Sequence, residues 1–225
     1  MLRDPLAQIL SSAEVVLFDF DGPVCSVFDG YPAARITREL LALAREVRGE
    51  LEPALELAGG PHGLLLAAAG DLELAGLLEA ALQKGELAAI ETARPTPGAG
   101  ECIAACVASG RVVAIVSNNC LEAITEYLVR AGLSGCVAHV EGRDPVDPRL
   151  MKPDPYLVER AVSALGVGSA SCVFVGDQAT DMEAGRAAGV RVVGYANKPG
   201  KVEALGRAGA DVIISSMLEL ADVLC

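Results

Sequence analysis

The chain alternates short runs of consecutive apolar residues with longer stretches in which apolar residues recur every three or four positions. The short runs are rich in valine and isoleucine, which is typical of strands buried on both faces of a parallel sheet. They predict strands at 15–18, 112–116, 172–175, 190–193 and 211–214, with a weaker candidate at 137–140.

The longer stretches between these strands predict amphipathic helices. Several of them are followed by a glycine, such as Gly110, Gly132 or Gly166, which suits the left-handed residue that often ends a helix. Alternating strands and helices are typical of an α/β fold in which helices cover both faces of a doubly wound parallel sheet. The helices are predicted at 98–109, 121–131, 155–165, 180–188 and 201–208.

One long segment, residues 31–92, contains no pattern typical of a strand. Helical periodicity runs through it, and a proline-rich linker at 94–98 leads back to the strand–helix pattern. The sequence therefore predicts a small all-helical domain, 31–92, inserted after the first strand into a core formed by residues 1–30 and 93–225. The helical stretches of the insert are predicted at 38–48, 64–69, 71–83 and 86–93.

Composition narrows the classes of protein that fit this pattern. Of the 225 residues, 52% are hydrophobic and 21% charged, as in a globular chain rather than a disordered one. The formal charge of −12 argues against sequence-independent binding to nucleic acid and against binding to an anionic membrane surface. It does not exclude a small anionic ligand, because a bound metal or a few placed cations can reverse the local field.

Several features favour a cytoplasmic location with reduced thiols. The first twelve residues include Arg3 and Asp4 and no long apolar run, so no secretory signal is predicted, and no uncharged stretch reaches the ~20 residues of a membrane span. The seven cysteines are scattered and odd in number. Cys102 and Cys106 share a helix face, but their apolar neighbours favour core packing over metal binding.

Acidic residues follow two of the predicted strands, at the edge where open α/β sheets bind ligands. Asp19 and Asp21 leave the first strand two residues apart, so both side chains can face one pocket. A polar loop with an aspartate that caps a turn is the alternative. Asp177 and Asp181 follow the strand at 172–175, and here the alternative is a helix N-terminus that favours an acidic residue.

Two further strand-end features complete the set. Ser117 and Asn118 follow the strand at 112–116, where a hydroxyl and loop amides can hold an oxyanion, although a plain turn explains them equally well. Lys152 precedes a helix that starts with proline, so its backbone is extended and its side chain can point into a cleft. A surface lysine is the alternative.

Taken together, these residues suit the chemistry of a phosphate ester, which needs a nucleophile, a proton donor and charge neutralisation. Asp19 can supply the nucleophile and Asp21 the acid–base group. Mg²⁺ between Asp19, Asp177 and the phosphate would relieve the repulsion between carboxylates and substrate. Lys152 adds a compact charge and Ser117 a hydrogen-bond donor.

The ordered motifs resemble those of the haloacid dehalogenase-like hydrolase superfamily, and the resemblance covers essentially the whole chain. It implies a Rossmannoid core, and a helical cap between the first two motifs resembles the subclass that includes phosphoglycolate phosphatase and β-phosphoglucomutase. The motifs are Asp19-Phe20-Asp21-Gly22, Ser117 after an apolar strand, Lys152, and Gly176-Asp177-x-x-x-Asp181.

The resemblance also implies residue roles. Asp19 becomes an aspartyl-phosphate, and Asp21 protonates the leaving group and then activates water. Asp19, the backbone carbonyl of Asp21 and Asp177 ligate Mg²⁺, and Asp181 assists directly or through water. Dehalogenase members lack the second aspartate, so Asp21 favours phosphoryl transfer. Pro23 departs from the usual Thr or Ser, which removes a hydroxyl and an N–H and puts the orientation of Asp21 in question.

Substrate choice is expected to lie in the cap and the loops at the sheet edge. Besides Ser117, Asn118 and Lys152, three candidates for substrate binding are Tyr31 after the first motif, His62 in a flexible loop at 59–63, and Asn197 after the strand at 190–193. A surface histidine and a plain turn are the respective alternatives for His62 and Asn197.

The sequence therefore predicts a cytoplasmic, Mg²⁺-dependent phosphatase for a small phosphorylated metabolite, with neither nucleic acid nor membrane as a partner. A phosphomutase of the β-phosphoglucomutase type is the nearest alternative, because it shares these motifs. A non-catalytic phosphate-binding or regulatory protein is a third, supported only by Pro23. The sequence does not determine the oligomeric state.

Overall fold

The computed structural model describes residues 4–224 and contains a six-stranded parallel sheet and a two-stranded antiparallel one. Its strands are β1 (Val15–Phe18), β2 (Cys25–Ser26), β3 (Arg94–Pro95), β4 (Val112–Val116), β5 (His139–Glu141), β6 (Cys172–Gly176), β7 (Arg191–Tyr195) and β8 (Val212–Ile214). The larger sheet has the order β5-β4-β1-β6-β7-β8, and β1 lies between β4 and β6. The predicted α/β fold is confirmed.

Helices cover both faces of the larger sheet. Alternate side chains of β1 enter two separate apolar clusters, Val16 and Phe18 on one face and Val15 and Leu17 on the other. All four are buried, because β1 has a strand on each side and helices above and below. The helices are α1 (Pro5–Ser11), α2 (Ala33–Arg48), α3 (Pro53–Glu56), α4 (Gly60–Ala67), α5 (Leu72–Ile90), α6 (Ala99–Ala108), α7 (Leu121–Arg130), α8 (Tyr156–Leu165), α9 (Ala179–Ala187), α10 (Lys201–Arg207) and α11 (Met217–Leu224).

The doubly wound arrangement follows from which helices enter which cluster. Residues of α1, α6, α7 and α11 pack on one face of the sheet, and residues of α8, α9 and α10 pack on the other. Neither α1 nor α11 is among the predicted helices. Both are short and lie outside the strand–helix repeat from which the other helices are predicted.

Helices α2 to α5, residues 33–90, form what we call the helical insert. They have an apolar cluster of their own, built around Ile36, Leu40, Leu64 and Leu78, to which Met151 of the core adds its side chain. The helices lie within the predicted 31–92 segment, and the division into two domains stays a prediction. The linker at 94–98 begins as β3, which pairs with β2 to form the separate two-stranded antiparallel sheet.

Two predictions inside the insert are wrong. The helices predicted at 71–83 and 86–93 are one helix, α5, because Gly85 serves packing rather than termination. A side chain there would place Cβ 3.1 Å from the side chain of Ile36, so glycine lets α2 approach closely. The loop predicted at 59–63 is largely the first turn of α4, where Pro61 occupies a position that suits proline.

The structure also bears on two predictions made from composition, one about membrane spans and one about the cysteines. Within residues 4–224, no helix combines the length and apolarity needed to cross a bilayer. The six described cysteines are free thiols, and Cys102 and Cys106 are fully buried in the apolar core, as the packing interpretation expects. Cys225 and the first three residues of the chain, which include Arg3, lie outside the described residues.

Candidate active site

The strand order brings the predicted motifs together at one edge of the sheet. Asp19 follows β1, Ser117 follows β4 and Asp177 follows β6. Because these three strands are parallel neighbours, their carboxyl ends lie side by side. Residues separated by up to 158 positions in the chain (19 to 177) are therefore adjacent in space.

Lys152 is the buried cation at the centre of this edge. Its Nζ donates to Asp19 Oδ1 at 2.8 Å and to Asp181 Oδ1 at 2.6 Å, and it also donates to the carbonyl oxygen of Val116 at 3.1 Å. Burial by itself would lower the pKa of Lys152, but Asp181 and Asp19 outweigh burial and raise the pKa. The lysine therefore stays charged, and the alternative of a surface lysine is wrong.

Asp181 serves both of the roles that its position suggested. Its Oδ1 accepts from Lys152, while its Oδ2 accepts from the backbone N–H of Gln178 at 2.9 Å. That second contact belongs to a capping box at the start of α9. The helix start thus fixes the carboxylate that faces the lysine.

The single positive charge of Lys152 does not balance the negative charge of the neighbouring carboxylates. Burial, followed by the charges of Asp181 and Asp177, raises the pKa of Asp19 to about 7 against the opposing effect of Lys152. Burial also raises the pKa of Asp177, which Lys201 only partly counteracts. A site of this kind favours a further cation.

The residues present fit a hard divalent cation. Asp19, Asp177 and Asp181 each offer a carboxylate oxygen, and these oxygens lie within 4.8 Å of one another. Asp177 Oδ1 is buried and has no hydrogen-bond partner among residues 4–224. Gly22 leaves room beside it, since a Cβ there would lie 2.4 Å from Asp177 Cγ. Carboxylate oxygens are the ligands that Mg²⁺ prefers.

Asp21 lies at the cavity wall, and one of its carboxylate oxygens accepts a hydrogen bond from the backbone. Its Oδ1 accepts from the backbone N–H of Val27 at 2.9 Å, and burial raises its pKa. Pro23 does not break this loop. The Thr96 hydroxyl, from beyond the insert, donates to the carbonyl oxygen of Gly22 in the same loop.

The loop after β4 carries three polar residues. Ser117 Oγ donates to Asn119 Oδ1 at 3.2 Å. The side-chain amide of Asn118 forms two hydrogen bonds with the backbone of Lys152. It accepts from the N–H at 2.8 Å and donates to the carbonyl oxygen at 3.1 Å. Asn118 therefore positions the lysine, a role that has no signal in the sequence because the two residues belong to different loops.

A cavity of about 860 Å³ opens above these residues. Asp19, Asp21, Ser117 and Lys152 line its core side, and so does Asn118. The helical insert closes it from the other side with residues of α4, among them Pro61, His62 and Leu66.

Two of the predicted substrate contacts do not line the cavity. The Tyr31 ring lies against the Arg35 guanidinium, 4.4 Å from ring centroid to Cζ, and its hydroxyl donates to Glu39. Asn197 Nδ2 donates to Asp177 Oδ2 at 3.2 Å, and Lys201, which was not predicted, contacts the same oxygen. The structure thus pairs Asn197 and Lys201 with Asp177 of the acidic cluster, and it packs Tyr31 where the apolar clusters of the core and the insert meet.

A buried ion network joins the insert to the core beside the cavity, and sequence reasoning missed it. Arg143, after β5, has a fully buried side chain and contacts Glu79 and Glu86 of α5. Glu79 and Glu86 are seven positions apart, so they share one helix face with the buried Leu82. Two acids on an apolar face signal a buried cationic partner, and that signal was available.

The contacts of Glu86 in this network predict how the stability of the protein changes with pH. Burial favours the neutral acid, but Arg143 and His62 outweigh burial and lower the pKa of Glu86 to about 2. A group whose pKa is lower in the folded state stabilises the protein at pH values above its unfolded-state pKa. That stabilisation is lost as the pH falls toward the folded-state pKa. The difference in the free energy of unfolding between wild type and Glu86→Gln should therefore shrink by about 2 kcal/mol as the pH falls from 6 to 3.

Urea denaturation at each pH measures this convergence, because glutamine does not titrate. Glu73→Gln, an exposed substitution on the same helix, should leave the wild-type curve nearly unchanged. Parallel curves for Glu86→Gln and wild type would contradict the assignment.

Known proteins share both the sequence pattern and the fold. The family model for haloacid dehalogenase-like hydrolases matches residues 13–189. Phosphoglycolate phosphatase from Xylella fastidiosa is 30% identical over 83% of this chain and 82% of its own length. N-acetylmuramic acid 6-phosphate phosphatase from Pseudomonas aeruginosa is 28% identical over 94% of each chain.

A crystal structure of a predicted phosphatase from Clostridium acetobutylicum has a TM-score of 0.73 at 18% identity, covering 93% of this chain and 97% of that one. Its likeness supports the fold. The match of the family model over most of the chain, together with the Xylella relative, carries the assignment. The chain therefore belongs to the haloacid dehalogenase-like hydrolases, and the family resemblance of its motifs is confirmed.

Proposed function

We propose that this protein is a Mg²⁺-dependent phosphatase that hydrolyses a small phosphorylated metabolite through an aspartyl-phosphate on Asp19. One observation carries the proposal: Asp19 is held by a buried lysine at the base of a cavity that a second carboxylate, Asp21, also faces. Membership of a hydrolase family whose named relatives are phosphatases supports it.

Asp19 is the proposed nucleophile. Lys152 binds its Oδ1, which leaves Oδ2 to attack phosphorus and form the acyl phosphate. The ammonium of Lys152 is positioned to stabilise the phosphoryl oxygens as negative charge shifts onto them, and the hydroxyl of Ser117 adds a second donor when its proton turns from Asn119 Oδ1 to the substrate. The contact with Lys152 also holds the Asp19 carboxylate in one orientation, which lowers the entropic part of the barrier.

Asp21 is the proposed acid and base. Its Oδ1 is occupied by the N–H of Val27, so Oδ2 carries the proton that passes to the leaving-group oxygen when the P–O bond breaks. The resulting carboxylate then takes a proton from water, and that water attacks the aspartyl-phosphate and releases inorganic phosphate. Burial raises the pKa of Asp21, which keeps a proton available at higher pH than in water.

Asp19, Asp177 and Asp181 are the proposed holders of Mg²⁺, and the family resemblance adds the backbone carbonyl of Asp21. When bound, the cation would neutralise charge between the carboxylates and the substrate phosphoryl group. Asn197 and Lys201 hold Asp177 through its other oxygen, Oδ2. The buried, unpartnered Oδ1 of Asp177 is the observation in favour.

Mg²⁺ is expected to raise the melting temperature of the protein by about 5 °C at a concentration far above its dissociation constant. The reason is that the cation binds the folded cluster and has no such site in the unfolded chain. Asp177→Asn should abolish the shift, whereas Asp222→Asn, an exposed substitution on α11, should keep it. An unchanged shift in Asp177→Asn would place the cation elsewhere.

The proposed substrate is a small molecule held between core and insert. Ser117, Asn118, Lys152 and His62 line the cavity and are its proposed contacts. Both relatives named above are phosphatases of small phosphorylated metabolites by name, a phosphorylated glycolate and a phosphorylated amino sugar. From the net charge of −12 we propose that the enzyme has neither nucleic acid nor membrane as a partner, and from its scattered cysteines we propose a cytoplasmic location.

A panel of phosphorylated metabolites and 4-nitrophenyl phosphate, assayed for phosphate release with Mg²⁺ and with excess EDTA, tests the proposal. We expect release from at least one compound, and only with the metal. The same reactions are examined for an isomeric phosphate ester, the product that a phosphomutase would form. If no compound loses phosphate or if EDTA makes no difference, the proposal is wrong.

A further inference from the structure

Glu86 is a buried carboxylate that joins the helical insert to the loop after β4. It lies on α5 and is fully buried. Its oxygens accept from Arg143 Nη1 at 2.8 and 2.9 Å, from Asn119 Nδ2 at 2.9 Å and from the backbone N–H of Cys120 at 3.0 Å. Three of its partners therefore belong to the core, although Glu86 itself belongs to the insert.

The fourth partner of Glu86 is His62, whose ring lines the cavity. His62 Nε2 lies 3.1 Å from Glu86 Oε1. An ionised carboxylate can only accept a hydrogen bond, so Nε2 must carry the hydrogen. The other ring nitrogen, Nδ1, has no hydrogen-bond partner among residues 4–224.

The network also reaches the groups that line the core side of the cavity. Asn119, which donates to Glu86, accepts from the hydroxyl of Ser117. Arg143 Nη1 donates to the carbonyl oxygen of Asn118 at 2.9 Å. The ionic contacts thus link one ring on the insert to two residues of the loop after β4.

Packing alone does not explain such a network. Burying charged groups costs about as much free energy as their pairing returns, so a buried ion pair is weak evidence for a stabilising role. Both oxygens of the Glu86 carboxylate are instead used in directed contacts, and two of its partners, His62 and Asn119, line the cavity. Orientation is therefore the property that distinguishes this carboxylate.

Resting on the proposed phosphatase function, we propose that Glu86 is a positioning residue. It fixes His62 in the form protonated at Nε2, and it holds the ring against the core so that Nδ1 faces the leaving group of the substrate. His62 is then the substrate contact, and Glu86 acts only through it and through Asn119.

Kinetics of a double-mutant cycle test the proposal with the sugar phosphate of the panel that is hydrolysed fastest as the probe, because its hydroxyls can donate to Nδ1 and 4-nitrophenyl phosphate offers no donor. Glu86→Gln should raise KM about tenfold and change kcat less than threefold, because a ground-state contact is weakened. In a His62→Gln background the same substitution should change KM less than twofold, since the contact is already gone. Equal effects in both backgrounds would overturn the proposal.

His139 offers a matched control. Its Nε2 lies 3.2 Å from Glu141 Oε2, so it is a histidine–carboxylate pair of the same kind that does not line the cavity. His139→Gln should leave KM and kcat within twofold of wild type.

The tautomer provides a readout that needs no activity. His62 and His139 are the two histidines of the chain, so imidazole ¹⁵N spectra contain two rings, and His139→Gln assigns them. Wild-type His62 should be protonated at Nε2. Protonation at Nδ1 alone would overturn the proposal, even if Glu86→Gln failed to fold.

The two proposals fail in different ways. A wild-type protein that is as inert as Asp19→Asn on every probe contradicts the phosphatase function, and with it the leaving-group role of His62. An active wild type with an additive double-mutant cycle contradicts the role of Glu86 alone.

Discussion

Asp19→Asn is expected to lower phosphate release by about 10³-fold or more. Asparagine has nearly the shape of aspartate, but its amide does not form an acyl phosphate. The substitution also leaves Lys152 with Asp181 as its remaining carboxylate partner. Phosphate release under single-turnover conditions, with wild type and variant at equal concentration, measures the effect.

The change should affect chemistry rather than folding. The asparagine keeps the volume of the side chain, so far-ultraviolet circular dichroism and the melting temperature should stay close to wild type. Asp29→Asn, at an exposed aspartate paired with Arg94, is the matched control and should retain activity within twofold. Full activity in Asp19→Asn would show that another group attacks phosphorus, even though the fold is right.

Lys152→Met is expected to reduce kcat/KM by about 10²-fold or more and to destabilise the metal-free protein by about 3 kcal/mol. Methionine fills the space of the lysine stem but carries no charge. Asp19 and Asp181, both buried, would then face each other without the cation that lies 2.8 and 2.6 Å from them. Removing one partner of a buried pair is costly because the other charge stays buried.

Activity and urea denaturation in EDTA measure the two effects separately. Lys84→Met, at an exposed position on α5, makes the same chemical change without a buried partner and should alter neither quantity appreciably. Mg²⁺ should restore part of the lost stability of Lys152→Met, because it supplies positive charge to the same carboxylates. A variant as stable and active as wild type would show that Lys152 does not neutralise the site.

Much of the site was predictable because strands leave a local signal. Consecutive apolar residues predict a strand buried on both faces, and the residue after such a strand lies at the binding edge of the sheet. Asp19, Ser117 and Asp177 were located on that basis. The strand–helix alternation predicted the α/β fold, which the structure confirms, and four motifs in order predicted the family, which the comparisons confirm.

Other features were not predictable in this way, because they depend on which elements meet in space. The sequence predicted two helices, 71–83 and 86–93, yet Gly85 between them allows α2 to pack closely against a continuous α5. Asn197 follows β7 at the correct edge, but its amide turns to Asp177 rather than to the cavity. Local sequence patterns predict where a residue lies on its helix or strand, but they do not predict which residue its side chain will contact.

By itself, the sequence determined the parallel sheet, the helical nature of the insert and the residue types at the strand ends, because hydrophobic periodicity and family motifs are local properties of the chain. The tertiary structure decided the partners. It placed Lys152 between Asp19 and Asp181, and it brought Glu86 of the insert to Arg143 of the core. These contacts join residues 29 to 133 positions apart, so their geometry exists only once the sheet edge and the insert have come together.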